Sequence, residues 1–323
     1  MLKYIVKRIL MLIPVLLGVI FIIFSIMELS PMDAVDVIMG TDVTEEEADA
    51  LREELGLNRP FLVRYADYVF SLVRGDMGTS YKNGRAVSDE IFSRLPNTIL
   101  LAGTAILLAC IVGIPIGIIS AKRQYTLLDN VTTVFALVGA AVPVFWLGLV
   151  SVLIFSIGLK WLPATGMGKT PLDIVKSLIL PAAAISTSAC AVFMRQTRSS
   201  MLDVMQQEYI DTARSKGAKE SSITISHMLR NALIPIITAV GLQFGTLLGG
   251  SVITENVFAW PGLGRYVVDS ISKRDTPAVL GCVVMISIMF SIMNLLTDIL
   301  YAFVDPRIKS QYMSKRWRKK NAA

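Results

Sequence analysis

Histidine is almost missing from this chain: of 323 residues, only His227 carries an imidazole. A lone histidine with no Cys pair nearby cannot complete a protein-built zinc site. No H-E-x-x-H helix and no Ser-His-Asp set occur, so the common hydrolytic devices are excluded. Cysteine is nearly as scarce. Cys110, Cys190 and Cys282 lie far apart in apolar stretches without C-x-x-C spacing, and they read as small buried apolar residues. The phosphate loop G-x-x-x-x-G-K-[ST] is absent, so the chain does not bind ATP in that manner. Charge is short too, at 17% of residues against 54% hydrophobic. Both figures depart from the soluble average toward a membrane protein.

What is present is a series of long apolar runs. Crossing about 30 Å of hydrocarbon takes about 20 apolar residues. Six runs qualify: Ile9–Leu29, Pro96–Ala121, Val131–Leu159 with Pro143 inside it, Ser177–Met194, Leu233–Ile253 and Ala278–Val304. The first has a basic flank, Lys3-Lys7-Arg8, but is too long for a signal core and is followed by no small-residue cleavage site. It is expected to stay as an anchored span.

Charge sets the orientation. Residues 30–96 hold 13 acidic and 7 basic side chains, the rest of the chain 12 acidic and 24 basic. The basic flanks at Lys3–Arg8, Lys122-Arg123, Arg195–Arg230 and Arg307–Lys320 share one side if there are six spans. The positive-inside rule makes that side the cytoplasm, with both termini inside and the acidic segment outside. The net charge of +6 is then an orientation signal, and no nucleic-acid partner is expected. The expected division is a flank and first span (1–29), an outer helical segment (30–95), a core of five spans (96–304) containing a cytoplasmic loop (200–230), and a basic tail (305–323).

The outer segment carries local signals. Thr44-Glu-Glu-Glu47 fits a capping box, with Gly56 as the helix stop and Pro60 beyond. A second helix from Pro60 to Val73 puts Phe61, Tyr65, Val69 and Leu72 on one face. That face is expected to pack on the spans, with a landing surface for an external binding protein as the alternative. On the cytoplasmic side, a helix from about Ser200 to Lys216 is expected to stop at Gly217, and Ser221 or Ser222 to cap the next. A polar helix–glycine–helix unit between two spans is not needed to cross a bilayer. It suits a docking surface. A DNA-binding helix-turn-helix has a similar outline, but this unit is tied to the membrane at both ends and nearly charge-balanced. A purely structural hairpin is the plain alternative.

Asp211-Thr212-Ala213 followed by Gly217 resembles the EAA…G loop of membrane subunits of binding-protein-dependent ATP-driven importers. Further stretches are similar to the dipeptide/oligopeptide/nickel branch, first-permease type: His227-Met-Leu-Arg-Asn-Ala-Leu-Ile-Pro235, Gly249-Gly-Ser-Val-Ile-Thr-Glu255, Val257-Phe-Ala-Trp-Pro-Gly-Leu-Gly264 and Asn294-Leu-Leu-Thr-Asp298. So are Leu55-Gly-Leu-Asn-Arg-Pro60, Arg74-Gly-Asp-Met-Gly-Thr-Ser80 and Arg94-Leu-Pro96. Asp211 stands for the usual Glu and Thr212 for the first Ala. The resemblance covers roughly 1–309. It implies an all-α, six-span membrane protein of the type I ABC importer permease fold. It implies a homologous second permease, one or two ABC ATPase subunits that bind ATP and Mg, and an extracytoplasmic solute-binding protein. No cofactor is expected on this chain, and hydrolysis belongs to the partners.

Under that resemblance, Glu208, Asp211, Thr212, Ala213, Arg214 and Gly217 form the ATPase-coupling loop. Glu255, Trp260, Pro261, Gly262 and Gly264 are candidates for an outer gate or pathway. Gly241, Gly245 and Gly249, at i, i+4 and i+8, permit close helix approach. Asn294 and Asp298 are read as a helix-packing hydrogen bond. The expected cargo is a peptide, with nickel or a metal chelate as the alternative. A stand-alone secondary transporter would need an ion-coupling cluster at mid-membrane, and the sequence offers none.

Overall fold

The computed structural model describes residues 2–29, 34–39 and 44–304. The basic tail read at 305–323 lies outside the described residues, as do the links at 30–33 and 40–43 and the side chains of Lys3, Lys7, Arg8 and Asp298. Among the described residues, the regular elements are helices, joined by a single isolated β-bridge between Thr79 and Ala86. Five helices among the described residues are long and apolar enough to span a bilayer, or six if one bent pair counts as a span.

The chain begins with α1 (Leu2–Glu28), α2 (Ala34–Met39), α3 (Glu45–Glu54) and α4 (Phe61–Val73). The capping box forms as expected: Thr44 accepts from the Glu47 amide while the Glu47 carboxylate accepts from the Thr44 amide. Gly56 follows with φ +66°. Next come α5 (Val87–Lys122), α6 (Leu127–Ala141), α7 (Val144–Ser151) with a π-helical extension Val152–Gly158, and α8 (Pro171–Met205). Then follow α9 (Glu208–Ser215), α10 (Glu220–Ser222) with a π-helical turn Ile223–Leu229, α11 (Arg230–Gly250), α12 (Val252–Val257), α13 (Leu263–Ser272) and α14 (Thr276–Val304).

Three expectations are corrected. The third span, expected as one run from Val131 to Leu159 long enough to tilt or kink, is broken at Pro143: α6 and the helix after it are bent by 97°. Val142 precedes Pro143 and is held extended at ψ 128°, the conformation that a following proline ring enforces, and Pro143 has no N–H to continue the ladder. The helix expected over 200–216 is also not continuous. It breaks at Gln206-Gln207, and α9 starts afresh. Neither Ser221 nor Ser222 caps the next helix. Lys219 takes the cap position with no side-chain bond.

The chain folds as two compact units. One comprises Leu2–Ile99 and Gly249–Met289. In it, the apolar stripe of α4 (Phe61, Tyr65, Val69, Leu72) packs on buried Ile20 and Phe24 of α1 and Leu280 and Val284 of α14. The bland expectation for that face therefore holds. Asp275 starts α14: its carboxylate accepts from the Ser80 hydroxyl and the Tyr81 amide, tying the 78–86 turn to the helix start. The other unit comprises Leu100–Leu248 and the chain from Phe290 on. Its cores join α5 to α8 and α11 through Ala109, Ala189 and Phe193, and gather Ala121, Met201, Ile210, Ile223, Met228 and Ile236 where α9 docks.

Candidate functional site

The polar loop is anchored by one apolar side chain. Ile210 of α9 is fully buried in the cluster with Met201, Ile223 and Met228, and Ala213 packs at its edge. The opposite face is left to solvent: Glu208, Tyr209, Asp211, Thr212 and Arg214 are exposed. Arg214 braces the loop, donating to Asp211 at 3.3 Å and to Glu220 across the turn at 2.8 Å. Gly217 sits at φ +77°, with open space where a Cβ would be. Its role is therefore conformational. The turn needs a left-handed residue, and only glycine takes that without strain. The structure thus brings the six loop residues named in the sequence onto one short, rigidly seated helix and its stop. His227 is exposed, on the π-helical turn that follows.

The glycine ladder of α11 is a helix contact within the chain. A Cβ on Gly241 would fall 2.0 Å from the Thr297 hydroxyl oxygen, and one on Gly245 would fall 3.2 Å from the Phe290 ring. Gly249 is looser, with Ile286 at 3.7 Å. Asn294 lies beside Gly245, and its side-chain oxygen is buried without a partner among the described residues. The expected bond from Asn294 to Asp298 falls on a side chain outside the described residues.

The turn that follows α12 is built around Glu255, which is 0% exposed. Its carboxylate accepts from the hydroxyls of Thr98 (2.9 Å) and Ser251 (3.0 Å) and from the amide of Arg265 (3.1 Å), with the Gly264 amide as a further donor. Its backbone carbonyl accepts from the Trp260 amide. Burial pushes the Glu255 carboxyl above its ordinary value, and these hydrogen bonds pull it back only in part. A Cβ on Gly262 would meet a Glu255 oxygen at 2.3 Å, and one on Gly264 would meet the Val252 Cα at 2.5 Å and a Glu255 oxygen at 3.0 Å, so both positions require glycine. Trp260 is also fully buried and donates its indole N–H to the Asn97 carbonyl, while Asn97 donates to the Pro261 carbonyl. The gate candidates therefore come together, as an internally satisfied knot. Asn97 and Thr98 complete it. Sequence reading missed them, although they directly follow the Arg94-Leu-Pro96 motif.

A second polar element also went unread. Arg198 of α8 grips the Asp129 carboxylate of α6 with two parallel bonds at 2.7 and 2.8 Å. Asp129, 3% exposed, also accepts from the Ser120 hydroxyl and the Tyr125 amide. In the sequence Arg198 read only as part of the basic flank Arg195–Arg230, and Asp129 was not singled out.

Two family models match the chain. The first, "Binding-protein-dependent transport system inner membrane component", covers residues 113–310, and its N-terminal companion covers 1–102. The chain belongs to this family. The permease is 42% identical over 315 residues to the oligopeptide transport system permease protein AppB of Bacillus subtilis, covering 96% of this chain and 100% of the relative. It is 39% identical over 332 residues to the dipeptide transport system permease protein DppB of Alkalihalophilus pseudofirmus, with 96% and 100% coverage. It is 40% identical over 309 residues to the glutathione transport system permease protein GsiC of Salmonella typhimurium, with 96% and 99% coverage. Among solved structures, a chain of the inward-facing MetNI methionine ABC transporter matches with a TM-score of 0.56 at 16% identity, over 66% of this permease and 95% of that chain. That likeness concerns the fold. The permease is thus a multi-pass transport subunit of the bacterial inner membrane.

Glu255→Gln should destabilise the permease by about 2–3 kcal/mol, because an amide would turn its own donors toward a site already filled with donors. Thermal unfolding in detergent checks this. An unchanged midpoint would show that the carboxylate does not hold the turn.

Proposed function

We propose that this permease forms half of the pathway of an ATP-driven peptide importer. The pathway's other half is a homologous permease. ATP and Mg are bound by one or two partner ATPase subunits, and an extracytoplasmic solute-binding protein delivers the peptide. In this reading both termini and the 200–230 loop are cytoplasmic, and residues 30–95 face outward.

The observation that carries the coupling is the exposed polar face of α9, seated by buried Ile210 and ended by Gly217. A short helix fixed on one side and free on the other is suited to enter a partner's cleft and transmit motion. The binding protein and ATP then favour different members of one set of conformations. The knot around Glu255 would keep the outer turn moving as a single body.

The names of the relatives favour peptide cargo over nickel: they specify oligopeptides, dipeptides and glutathione. Among the described residues no group of three or more His, Cys, Asp or Glu is placed to hold a metal ion. An amino-acid auxotroph tests the cargo. A strain lacking this permease and other peptide importers should fail to grow on the required amino acid supplied as a short peptide, and the permease with its partners should restore growth. Normal growth of the deletion strain together with impaired nickel uptake would favour the metal reading.

A further inference from the structure

A small cavity of about 180 Å³ opens between the 80–83 turn and the segment 261–270. Its lining is cationic, with Lys82, Arg94 and Arg265 set against the single carboxylate of Asp269. Arg94 is committed to Glu90 and stacks 4.4 Å over the Tyr266 ring. Arg265 gives one N–H to the Ala259 carbonyl, and its other guanidinium donors bond to no described residue. Lys82 is exposed, and its side chain lies against Lys273. The adjacent Lys273 ammonium and partial burial hold the Lys82 ammonium below the ordinary lysine value, while Asp269 and Asp275 partly offset them. Two ammonium groups brought together gain from an anion between them. Tyr266 lines the same cavity, and its phenol oxygen is buried with no hydrogen-bond partner among the described residues. A buried hydroxyl without a protein partner is free to donate to an acceptor that enters the cavity.

We propose that this cavity receives one carboxylate side chain of the solute-binding protein, which Lys82, Arg265 and the Tyr266 hydroxyl would hold when that protein docks. This rests on the reading of the chain as a binding-protein-dependent permease with residues 30–96 outside. Charge complementarity selects the ligand class, and size selects the ligand. The volume is below the roughly 300–1,000 Å³ of sites that enclose a whole small molecule, so one acidic side chain fits where a peptide does not. The cavity also adjoins Pro261 and Gly262 of the outer turn. Docking there would act directly on the knot around Glu255.

The test uses the complete transporter in lipid vesicles with its own binding protein, reading ATP hydrolysis as that protein is titrated. Lys82→Glu should raise the half-maximal binding-protein concentration about tenfold and weaken its salt dependence, whereas Lys82→Arg should behave as wild type. An unchanged titration for Lys82→Glu overturns the proposal. So does a change confined to the half-saturating peptide concentration, which would assign the cavity to the peptide carboxylate. If the binding protein fails to stimulate the wild-type complex at all, the broader reading of the chain falls with it.

Discussion

Arg198→Met should destabilise the permease by about 3–5 kcal/mol, the cost of leaving a buried charge without its partner. Asp129 is 3% exposed, and after the substitution only the Ser120 hydroxyl and Tyr125 amide would face its carboxylate. The reciprocal change is milder. Arg198 keeps a side-chain exposure of 26%, so without Asp129 its guanidinium can turn toward water. Asp129→Asn should therefore cost about 1–2 kcal/mol. The double change Asp129→Leu with Arg198→Met should recover much of the loss, because a well-packed apolar pair escapes the desolvation penalty. Unfolding of the detergent-purified protein, read for the two single variants and the double, tests the asymmetry. Equal small losses for both single variants would mean that the pair holds little of the α6–α8 contact.

Gly217→Val should abolish or strongly reduce peptide uptake while leaving membrane insertion intact. The space around Gly217 is open, so the new side chain meets no clash. Its cost is conformational, about 1–2 kcal/mol for an L-residue at φ +77°. That strain lies between α9 and α10 and would tilt the exposed face that a partner must accept. Asp211→Lys probes the same face by charge, since Asp211 is 76% exposed and held only by Arg214. Glu46→Ala, on the exposed face of α3, serves as the control. Recovery of ATPase subunits with each purified variant reads the effect. Wild-type recovery and uptake for both Gly217→Val and Asp211→Lys would show that 208–217 is not the coupling element.

The legible parts of this fold were the local ones. The Thr44–Glu47 capping box, the stop at Gly56 and the left-handed Gly217 each depend on a few adjacent residues, and each forms as its sequence implies. The Gly241–Gly245–Gly249 spacing announced a close contact, though only the structure names Thr297, Phe290 and Ile286 as its neighbours. What escaped was non-local or sterically conditional. Thr98 and Glu255 are 157 residues apart, and Asp129 and Arg198 are 69 apart; no periodicity links such pairs. Hydropathy showed that 131–159 is apolar, but it carries no information on direction, and the 97° bend arises from the backbone of Val142 and Pro143. Helical continuity from 200 to 216 failed for the opposite reason. Helix propensity there is adequate, yet burying Ile210 in the cluster with Met201 and Ile223 goes with the break at 206–207.

On the proposed function, this chain passes peptide only when a separate ATPase, engaged through α9, hydrolyses ATP. The most direct test is to measure hydrolysis and peptide accumulation in the same vesicles, with and without the ATPase subunits. Accumulation is expected only with ATPase subunits, ATP and loaded binding protein together, and is expected to be lost for Gly217→Val. Accumulation by the permeases alone, driven by an ion gradient and indifferent to ATP, would contradict the proposed function.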